Sequence, residues 1–443
     1  MKRRGNEVQG INLGLHRMVA IMRALDNPHD RYPSLHIAGT NGKGSVAAMS
    51  ESILRSAGFT TGLYTSPHLI RVEERIRVDG RAVSPRAFGA LAEIIDKTEQ
   101  ALLRQGKLDR TLTFFEFVTA CAFLHFARRR VDAAVVEVGL GGRLDATNTI
   151  TPRTCVITGI SYDHQNILGS TLEQIAREKA GIIKSGVPVI SGCRAPAARS
   201  VIRDAARARQ ALLIELERIC RIRLKGHHHG RYDFDLEIAR HRYRDLRLAL
   251  AGAHQARNAA LAVAAVRAFL GGEPAARAVR FGLRKAEWPG RLDEFRAPRR
   301  TLLDGAHNPE GAQVLREFLR NHHHEPIHMV FAALRDKDLG GIGARLFPLA
   351  DVIHLAPLGN SRTAAPDEIA ALHPRHRSRM RVHADSRAAL RAAWKSCPPH
   401  GLVAVAGSLY LIGELLPVVQ GATRGLGGKR RSSPPGRRPR LSI

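Results

Sequence analysis

Short apolar runs alternate with stretches of helical periodicity along most of the chain. Runs of the kind that form buried strands lie, in the first two-thirds, at residues 35–38, 133–138, 155–160 and 188–190. Apolar residues recur at helical spacing at residues 45–57, 114–126, 172–180 and 248–270. Strands separated by helices indicate a parallel sheet that is covered on both faces.

The last part of the chain repeats this pattern on a smaller scale. Strands are predicted at residues 301–304, 327–331, 352–355 and 402–406, and helices at 311–319 and 386–394. The segment from Trp288 to Gly290 interrupts the pattern before them, so a domain boundary is expected there. We therefore predict an N-terminal domain over residues 1–292, a smaller C-terminal α/β domain over 293–425, and a disordered basic tail over 426–443.

One stretch departs from the alternation of strands and helices. Residues 199–247 are rich in arginine and show only partial alternation of apolar and polar positions. They include three adjacent histidines at 227–229, and a second such triplet lies at 322–324. One backbone does not easily aim three adjacent rings at a single metal ion, so we predict solvated loops for both triplets.

Length and charge narrow the classes of protein. The 443 residues exceed the roughly 250–300 at which one hydrophobic core stops growing, which agrees with two domains. Hydrophobic residues make up 44%, which excludes wholesale disorder. The formal net charge of +29 favours nucleic acid, an anionic membrane or phosphorylated substrates as partners. Aromatic residues are only 5% and do not interleave with the basic ones, which argues against a single-strand nucleic-acid binder.

The sequence carries no sign of export or of a membrane span. Its five cysteines are odd in number and lack C-x-x-C spacing, which favours a reducing compartment. The basic residues near the N-terminus have no apolar stretch behind them, and no window reaches the roughly 18–20 apolar residues of a membrane span. We predict a cytoplasmic protein with no membrane partner.

A glycine-rich segment from Gly39 to Ser45, the predicted phosphate loop, follows the first strand and opens a helix. Glycines let a backbone curve around phosphate, and a helix N-terminus presents unpaired N–H groups and a positive dipole end. Lys43 adds a point charge. The strict G-x-x-x-x-G-K-S/T pattern is not met because Lys43 precedes Gly44. The position between a strand and a helix nevertheless predicts nucleotide binding.

Further polar groups follow the predicted ends of strands, where α/β proteins bind their ligands. Glu137 ends an apolar strand, and a carboxylate there suits Mg²⁺, which prefers hard oxygen ligands and substrate phosphates. His164 follows another strand, where it is a metal ligand, an acid–base group or a hydrogen-bond donor, and spacing does not separate these roles. The turn from Asp304 to Pro309 presents Asp, His and Asn together.

These segments, with several others, resemble the folylpolyglutamate synthase/dihydrofolate synthase family of the Mur ligase superfamily. The matching segments are His36–Ser45, Tyr64–Leu69, Glu74–Ile76, Thr113–Glu116, Glu137–Asn148, Asp163–His164, Glu178–Lys184, His254–Asn258, Trp288–Leu292, Leu303–Pro309 and Gly407–Tyr410. They follow the order of the family from about residue 11 to residue 414 and leave the basic tail outside.

The resemblance implies a fold, an activity and cofactors. It implies an α/β fold with a P-loop Mur-ligase-type N-terminal ATPase domain built on a parallel-rich sheet. A smaller Rossmann-like C-terminal α/β domain would follow, with the active site in the cleft between the domains. The activity it implies is ATP-dependent ligation of glutamate to a pteroate or folate carboxylate. ATP and two Mg²⁺ ions would be the cofactors, with room for a monovalent cation.

Site residues are carried over by position. The resemblance implies that ATP is held by Asn41, Gly42, Lys43, Gly44, Ser45, Asn258, Arg291 and Asp304. The matching magnesium ligands are Ser66, Glu137 and His164. Lys179 matches a lysine that is carbamylated in this family. Together with Lys43 and His307, it is expected to act in catalysis.

The resemblance also places the pterin substrate. The implied contacts are Asn12, Leu13, Gly14, Leu15, Thr113, Phe114, Phe115, Glu116, Leu144, Asp145 and Ala146. An acidic residue is common in the family where Asn12 stands. Asp145 in this setting resembles bacterial enzymes that accept dihydropteroate as well as folates. We therefore expect a bifunctional, monomeric enzyme whose partners are ATP, L-glutamate, dihydropteroate and tetrahydrofolates, with no specific nucleic-acid partner.

Three alternatives compete with this prediction, and the second is disfavoured. The first is a synthase that only lengthens folates. The second is a cell-wall Mur ligase, which would need a uridine-nucleotide-binding domain ahead of the phosphate loop, and the 34 residues before the loop strand are expected to be too few for one. The third is a basic nucleic-acid-binding P-loop ATPase, which would explain the charge but not the Ser66 segment, Asp304 or His307.

Overall fold

The structure is a computed structural model that describes residues 14–296 and 298–427. Asn12 and Leu13, two of the predicted pterin contacts, lie outside the described residues. So does the predicted tail, except for its first two residues, which end the last helix. Among the described residues, no helix is long and apolar enough to cross a membrane.

The N-terminal part contains an eight-stranded sheet. Its strands are β1 (Ser34–Ala38), β2 (Thr61–Tyr64), β3 (Ile76–Val78), β4 (Arg81–Ala82), β5 (Ala133–Glu137), β6 (Thr154–Ile157), β7 (Val189–Ser191) and β8 (Leu213–Glu215). The order is β4-β3-β2-β5-β1-β6-β7-β8, and the pairs from β2 to β8 are parallel. β3 and β4 complete one edge in antiparallel pairing.

Helices cover both faces of this sheet. They are α1 (His16–Ala24), α2 (Lys43–Ser56), α3 (Pro85–Arg104), α4 (Phe114–Arg129), α5 (Gln165–Leu168), α6 (Leu172–Ala180), α7 (Pro196–Ala208), α8 (Leu216–Ile219), α9 (His254–Leu270) and α10 (Ala276–Lys285). Along β5, Val135 belongs to the core that includes α2 and α9, whereas Val136 belongs to the core that includes α3 and α4. Burial on both sides explains why the strands are continuous apolar runs.

The arginine-rich stretch forms a second, three-stranded antiparallel sheet. Its strands are β9 (Cys220–His228), β10 (Arg231–Ile238) and β11 (His241–Arg247), in the order β11-β10-β9. One face of β10 packs into the core through Phe234, Leu236 and Ile238. Basic side chains on the other face meet acidic ones, as in the ion pair of Arg247 with Asp233 at 2.8 Å. The partial alternation noted above is therefore a strand signal.

The prediction of solvated loops for the two histidine triplets was wrong in part. His227 and His228 are exposed, as predicted, but they end β9. His322 ends a helix, and its ring contacts that of His227 with centroids 4.4 Å apart. His323 is buried, and its Nδ1 lies 2.9 Å from a carboxylate oxygen of Glu325. A long-range contact between the two parts of the chain therefore orders groups that look like loop residues in sequence.

The C-terminal part forms a six-stranded sheet. Its strands are β12 (Asp293–Arg296), β13 (Arg300–Leu303), β14 (Ile327–Phe331), β15 (Val352–Leu355), β16 (Met380–Val382) and β17 (Leu402–Ala406). Its helices are α11 (Pro309–His322), α12 (Leu339–Leu346), α13 (Pro366–Leu372), α14 (Ser386–Ser396) and α15 (Leu409–Gly427). The order is β12-β13-β17-β14-β15-β16, and only β12 is antiparallel to its neighbour.

The predicted α/β class with two parallel-rich sheets is confirmed. Most predicted elements fall within a few residues of the observed ones, and the largest difference is at the helix predicted over 248–270. That helix begins only at His254, because Gly252, with φ 101°, turns the backbone just before it. The exact limits of the two domains stay a prediction.

Candidate active site

A cavity of about 890 Å³ lies between the N-terminal and C-terminal parts. The phosphate loop and the ends of β5 and β6 form one wall. The turn after β13 and the segment after β14 form the opposite wall. These are the carboxyl ends of parallel strands, where α/β folds bind ligands.

The glycine-rich loop runs from β1 into the N-terminus of α2, as predicted. Gly42 has φ 83°, a conformation that side chains other than glycine rarely adopt. A Cβ atom on Gly44 would lie 2.2 Å from the ring of Trp288, so this position requires glycine for another reason. The loop backbone can therefore approach a phosphate closely.

Lys43 opens α2 and folds back over the loop. Its Nζ donates to the carbonyl oxygens of Gly39 and Thr40, both at 3.1 Å. Burial lowers the pKa of Lys43, and the carboxylates of Glu137 and Asp163 oppose that shift. A half-buried cation held by two carbonyl groups at a helix N-terminus is suited to binding a polyanionic ligand.

Glu137 ends β5 and faces the loop after β2. Its Oε2 accepts a hydrogen bond from the backbone N–H of Ser66 at 3.2 Å. Burial raises the pKa of Glu137 to about 7, although the nearby Lys43 works against the shift. Burial outweighs the nearby cations in setting this pKa, and a divalent cation bound to the carboxylate would favour its ionised form.

Asp163 and His164 follow β6 and meet the C-terminal part. Lys337, which follows β14, donates from Nζ to Asp163 Oδ1 at 2.7 Å and lies 3.1 Å from His164 Nε2. Burial lowers the pKa of His164 to about 4. Burial alone would raise the pKa of Asp163, but His307 and Lys337 hold it well below its usual range. The imidazole of His164 is therefore neutral at pH 7, as a metal ligand must be.

The turn after β13 interlocks with the phosphate loop. Asn308 caps α11 and donates from Nδ2 to Asn41 Oδ1 at 3.0 Å. Asn41 also donates to Glu310, which accepts a hydrogen bond from Ser161 Oγ at 2.7 Å. His307 Nδ1 lies 2.8 Å from the carbonyl oxygen of Gly305. The N-terminal and C-terminal parts of the chain thus contact each other at the phosphate loop.

The other residues predicted to contact ATP line the same cavity. Asp304 is buried and accepts hydrogen bonds from the backbone N–H groups of Leu292 and Ala306, both at 2.9 Å. Burial raises the pKa of Asp304, while Arg291 opposes the shift. Asn258 lies against the phosphate loop, where a Cβ on Gly42 would be 2.9 Å from its Oδ1.

Lys179 lies near the end of α6 and points back at the phosphate loop. Its Nζ donates to the carbonyl oxygen of Gly39 at 2.8 Å. Burial lowers the pKa of Lys179 to about 7, and the positive charge of Lys43 adds to the effect. A large fraction of the amine is therefore neutral near pH 7, which makes it a nucleophile.

Nine of the eleven residues predicted to contact the pterin are described, and seven of them line the cavity: Gly14, Thr113, Phe115, Glu116, Leu144, Asp145 and Ala146. Leu15 and Phe114 do not line it. Leu15 precedes the first turn of α1. The ring of Phe114 lies 5.2 Å below the guanidinium of Arg75, because the first turn of α4 directs neighbouring side chains apart.

Asp145 is held more tightly than its sequence position indicates. Its Oδ2 accepts hydrogen bonds from the N–H groups of Gly139 and Leu140 at 3.0 and 2.9 Å. Its Oδ1 accepts from the backbone N–H and the hydroxyl of Thr147 at 3.0 and 2.5 Å. The carboxylate therefore fixes the loop between β5 and the 3₁₀ turn at 146–149. A direct bond to the pterin stays a prediction.

Sequence reasoning missed three side chains of this region. Arg17 is fully buried and pairs with Glu116 at 3.0 Å. Lys337 is nearly buried between Asp163 and His164. Arg362 lines the cavity from the loop after β15. No pattern around them gives a local signal, because each owes its place to contacts with distant residues.

The magnesium ligands implied by the resemblance fit the chemistry of the site. Glu137 supplies a hard anionic oxygen, Ser66 a hydroxyl and His164 a neutral imidazole, and all three line the cavity. The described residues contain no group of three or more His, Cys, Asp or Glu side chains placed to hold a metal alone. Nucleotide oxygens would therefore complete the coordination, as is usual for Mg²⁺.

Two family models match the chain. The Mur ligase middle domain matches residues 37–266, and the glutamate ligase domain of Mur ligases matches residues 290–409. Together with the sheets and the interlocked loops, these matches establish the chain as a Mur ligase, an ATP-dependent ligase.

Relatives and solved structures narrow the class. The chain is 39% identical over 373 residues to the dihydrofolate synthase/folylpolyglutamate synthase of Bacillus subtilis, with 81% of this chain and 84% of that protein covered. It superposes on a Mycobacterium tuberculosis folylpolyglutamate synthase complexed with ADP with a TM-score of 0.87 and 34% identity, covering 91% and 94% of the two chains. For Escherichia coli FolC in complex with DHPP and ADP, the TM-score is 0.84 at 32% identity, with 95% and 96% covered.

The chain belongs to the folylpolyglutamate synthase/dihydrofolate synthase family. The resemblance found in the sequence motifs is therefore confirmed.

Proposed function

We propose that this enzyme ligates L-glutamate to dihydropteroate, forming dihydrofolate, and to the γ-carboxylate of folylpolyglutamates, with ATP converted to ADP and phosphate. The observation that carries the proposal is the single cavity in which the phosphate loop meets Asp304, His307 and Lys337 of the opposite wall. One region of the cavity would hold the nucleotide, another is lined by Thr113, Phe115 and Glu116, and the reacting groups would meet between them.

The chemistry follows from charge. A carboxylate is a poor electrophile, and transfer of the γ-phosphoryl group of ATP turns it into an acyl phosphate with a good leaving group. Both reactants are anions, so positive charge must be concentrated at the transferred group. Lys43 supplies one such charge. Mg²⁺ would withdraw further charge when it is held by Ser66, Glu137 and His164.

The second step is attack by the amine of glutamate on the acyl phosphate. A tetrahedral intermediate forms, phosphate leaves, and an amide bond remains. Water would hydrolyse the acyl phosphate, so the contact of Asn308 and Glu310 with Asn41 matters because it closes the cavity wall beside the phosphate loop. His307, 3.5 Å from Asp163, lies where it can accept or pass on the proton that the amine loses.

Carbamylation of Lys179 is part of the proposal. A neutral amine attacks carbon dioxide and forms a carbamate with release of one proton. The pKa of about 7 that burial gives Lys179 makes the neutral amine available near pH 7. The resulting anion would lie near the cation Lys43 and would add a ligand oxygen for a second Mg²⁺.

Acceptance of dihydropteroate depends on the pterin end of the cavity. Phe115, Leu144 and Ala146 offer apolar contacts, while Thr113 and Glu116 are already joined in the capping box of α4. We further propose that the enzyme works as a cytoplasmic monomer, because one chain supplies both walls of the cavity and its five cysteines are free thiols.

The test is ADP release by the purified protein with L-glutamate and either dihydropteroate or tetrahydrofolate, with products identified by mass spectrometry. Activity with both acceptors supports the proposal. Activity with tetrahydrofolate alone would leave only the folate-lengthening function. ATP hydrolysis stimulated by DNA and not by folates would favour the nucleic-acid ATPase instead.

A further inference from the structure

Arg362 lies on the C-terminal wall of the cavity. Its side chain is 22% exposed, and Nη2 donates to Asp336 Oδ1 at 2.5 Å. The carbonyl oxygen of Arg362 accepts a hydrogen bond from the N–H of Arg335 at 2.9 Å, and its N–H donates to Asn360 Oδ1 at 2.9 Å. The loop that follows β15 is thus tied to the segment that follows β14, and the guanidinium is held at the wall.

The guanidinium of Arg362 has N–H donors available for a ligand. Asp336 engages one nitrogen and leaves Nε and Nη1 without a partner among the described residues. These two nitrogens point from different edges of the guanidinium, so each can donate a charge-assisted hydrogen bond to a carboxylate oxygen.

Arg362 lies close to the reacting groups through a short series of contacts. Asp336, its partner, directly precedes Lys337, and Lys337 donates to Asp163 beside the predicted metal ligand His164. A substrate that contacts both Arg362 and the groups around Lys337 would carry a carboxylate near its reacting amine. Glutamate has that form.

We propose that Arg362 binds a carboxylate of the incoming glutamate and orients its amine toward the acyl phosphate, with Asp336 fixing the guanidinium. This inference rests on the proposed function. It makes Arg362 a residue for substrate specificity: the enzyme would require an amino acid whose second carboxylate reaches the guanidinium. The same chemistry would suit a carboxylate on the glutamate tail of a folate substrate, and the experiment separates the two sources.

The experiment measures the KM for glutamate of Arg362→Gln with two acceptors, dihydropteroate, which has no tail, and a folate with a glutamate tail. We expect the KM for glutamate to rise about 10- to 100-fold with both acceptors, the loss typical of a charge-assisted hydrogen-bonded pair, and the KM for ATP to stay within about threefold. The KM of Arg362→Lys for glutamate should lie between those of wild type and Arg362→Gln, because an ammonium keeps the charge but loses the planar guanidinium.

A second measurement separates this inference from the proposed function. Hydroxylamine traps an acyl phosphate as a hydroxamate without using the glutamate site. Arg362→Gln should form hydroxamate from ATP and dihydropteroate at the wild-type rate, which also shows that the variant is folded. If wild-type protein forms none, the proposed function fails and the inference fails with it.

The matched control is Arg335→Gln, in the same segment as Asp336. Arg335 is 61% exposed and pairs with Glu368, outside the cavity lining, so its KM for glutamate should match wild type. An unchanged KM for glutamate in Arg362→Gln would overturn the inference. A raised KM for the tailed folate alone would also overturn it, because Arg362 would then bind the tail.

Discussion

Replacing Lys179 by methionine should stabilise the protein by an amount that depends strongly on pH. Burial lowers the pKa of Lys179 from 10.5 to about 7. Between these values the unfolded chain holds a proton that the folded protein does not, so the folded wild type gains stability as the pH rises. Below pH 7 Lys179 is protonated in both the folded and the unfolded protein, and the cost of burying its charge then lowers the free energy of unfolding most. Methionine keeps the length of the side chain and removes this destabilisation.

The magnitude follows from the two pKa values. Integrating the difference in bound protons from pH 6.5 to pH 9 gives about 2–3 kcal/mol, since one pKa unit corresponds to about 1.4 kcal/mol. The stabilisation of Lys179→Met over wild type should therefore be larger at pH 6.5 than at pH 9 by about that amount. Other titrating groups are common to both proteins and cancel in the difference to first order.

The assay is urea unfolding at a series of pH values in buffer freed of carbon dioxide, so that Lys179 stays an amine. Lys97→Met is the matched control. Lys97 is 74% exposed and Glu93 raises its pKa, so the control difference should be flat across this range. A difference between Lys179→Met and wild type that is equally flat would refute the assignment of a low pKa to Lys179.

Three further predictions concern ligase activity and Mg²⁺ binding. Lys43→Ala should lower ligation by about 10²–10³ while the fold stays intact, because the charge at the transferred phosphoryl group has no substitute in the loop; near-normal turnover by a folded variant would contradict this. Glu137→Gln should weaken Mg²⁺ binding measured by titration. In wild type, the affinity should rise as the pH passes through about 7, where the carboxylate loses its proton; equal affinity in the variant would exclude Glu137 as a ligand. Asp145→Ala should impair dihydropteroate ligation more than folate extension, with Thr147→Val, which removes one donor to that carboxylate, showing a smaller effect of the same kind. Equal dihydropteroate activity in Asp145→Ala and wild type would refute a role for Asp145.

The strands were the most predictable part of the fold. β14, β15 and β17 match the predicted residues because their runs are mainly apolar and each follows a residue that marks a strand start, namely Pro326, Asp351 and Gly401. The sheet formed by β9 to β11 was not identified. Its outer face carries ion pairs such as Lys225 with Asp235, so charged residues interrupt the apolar positions along these strands.

The nucleotide end of the site was predictable because its chemistry depends on a local segment. Gly42, Lys43 and Gly44 are adjacent, and the structure places them at the N-terminus of α2, where a turn predicted to bind phosphate would lie. The positions of Lys337 and Arg362 could not be predicted from a local segment. Each reaches the cavity only because β14 and β15 end at the same edge of the C-terminal sheet, and that arrangement is a property of the folded chain.

The central claim is that a carboxylate of the pterin substrate is activated by phosphoryl transfer before glutamate attacks. The most direct measurement uses dihydropteroate labelled with ¹⁸O in its carboxylate, ATP and L-glutamate, with mass spectrometry of the released phosphate. Activation through an acyl phosphate predicts that one ¹⁸O atom is transferred from the carboxylate to phosphate in each turnover. Phosphate without label, formed together with dihydrofolate, would contradict the account.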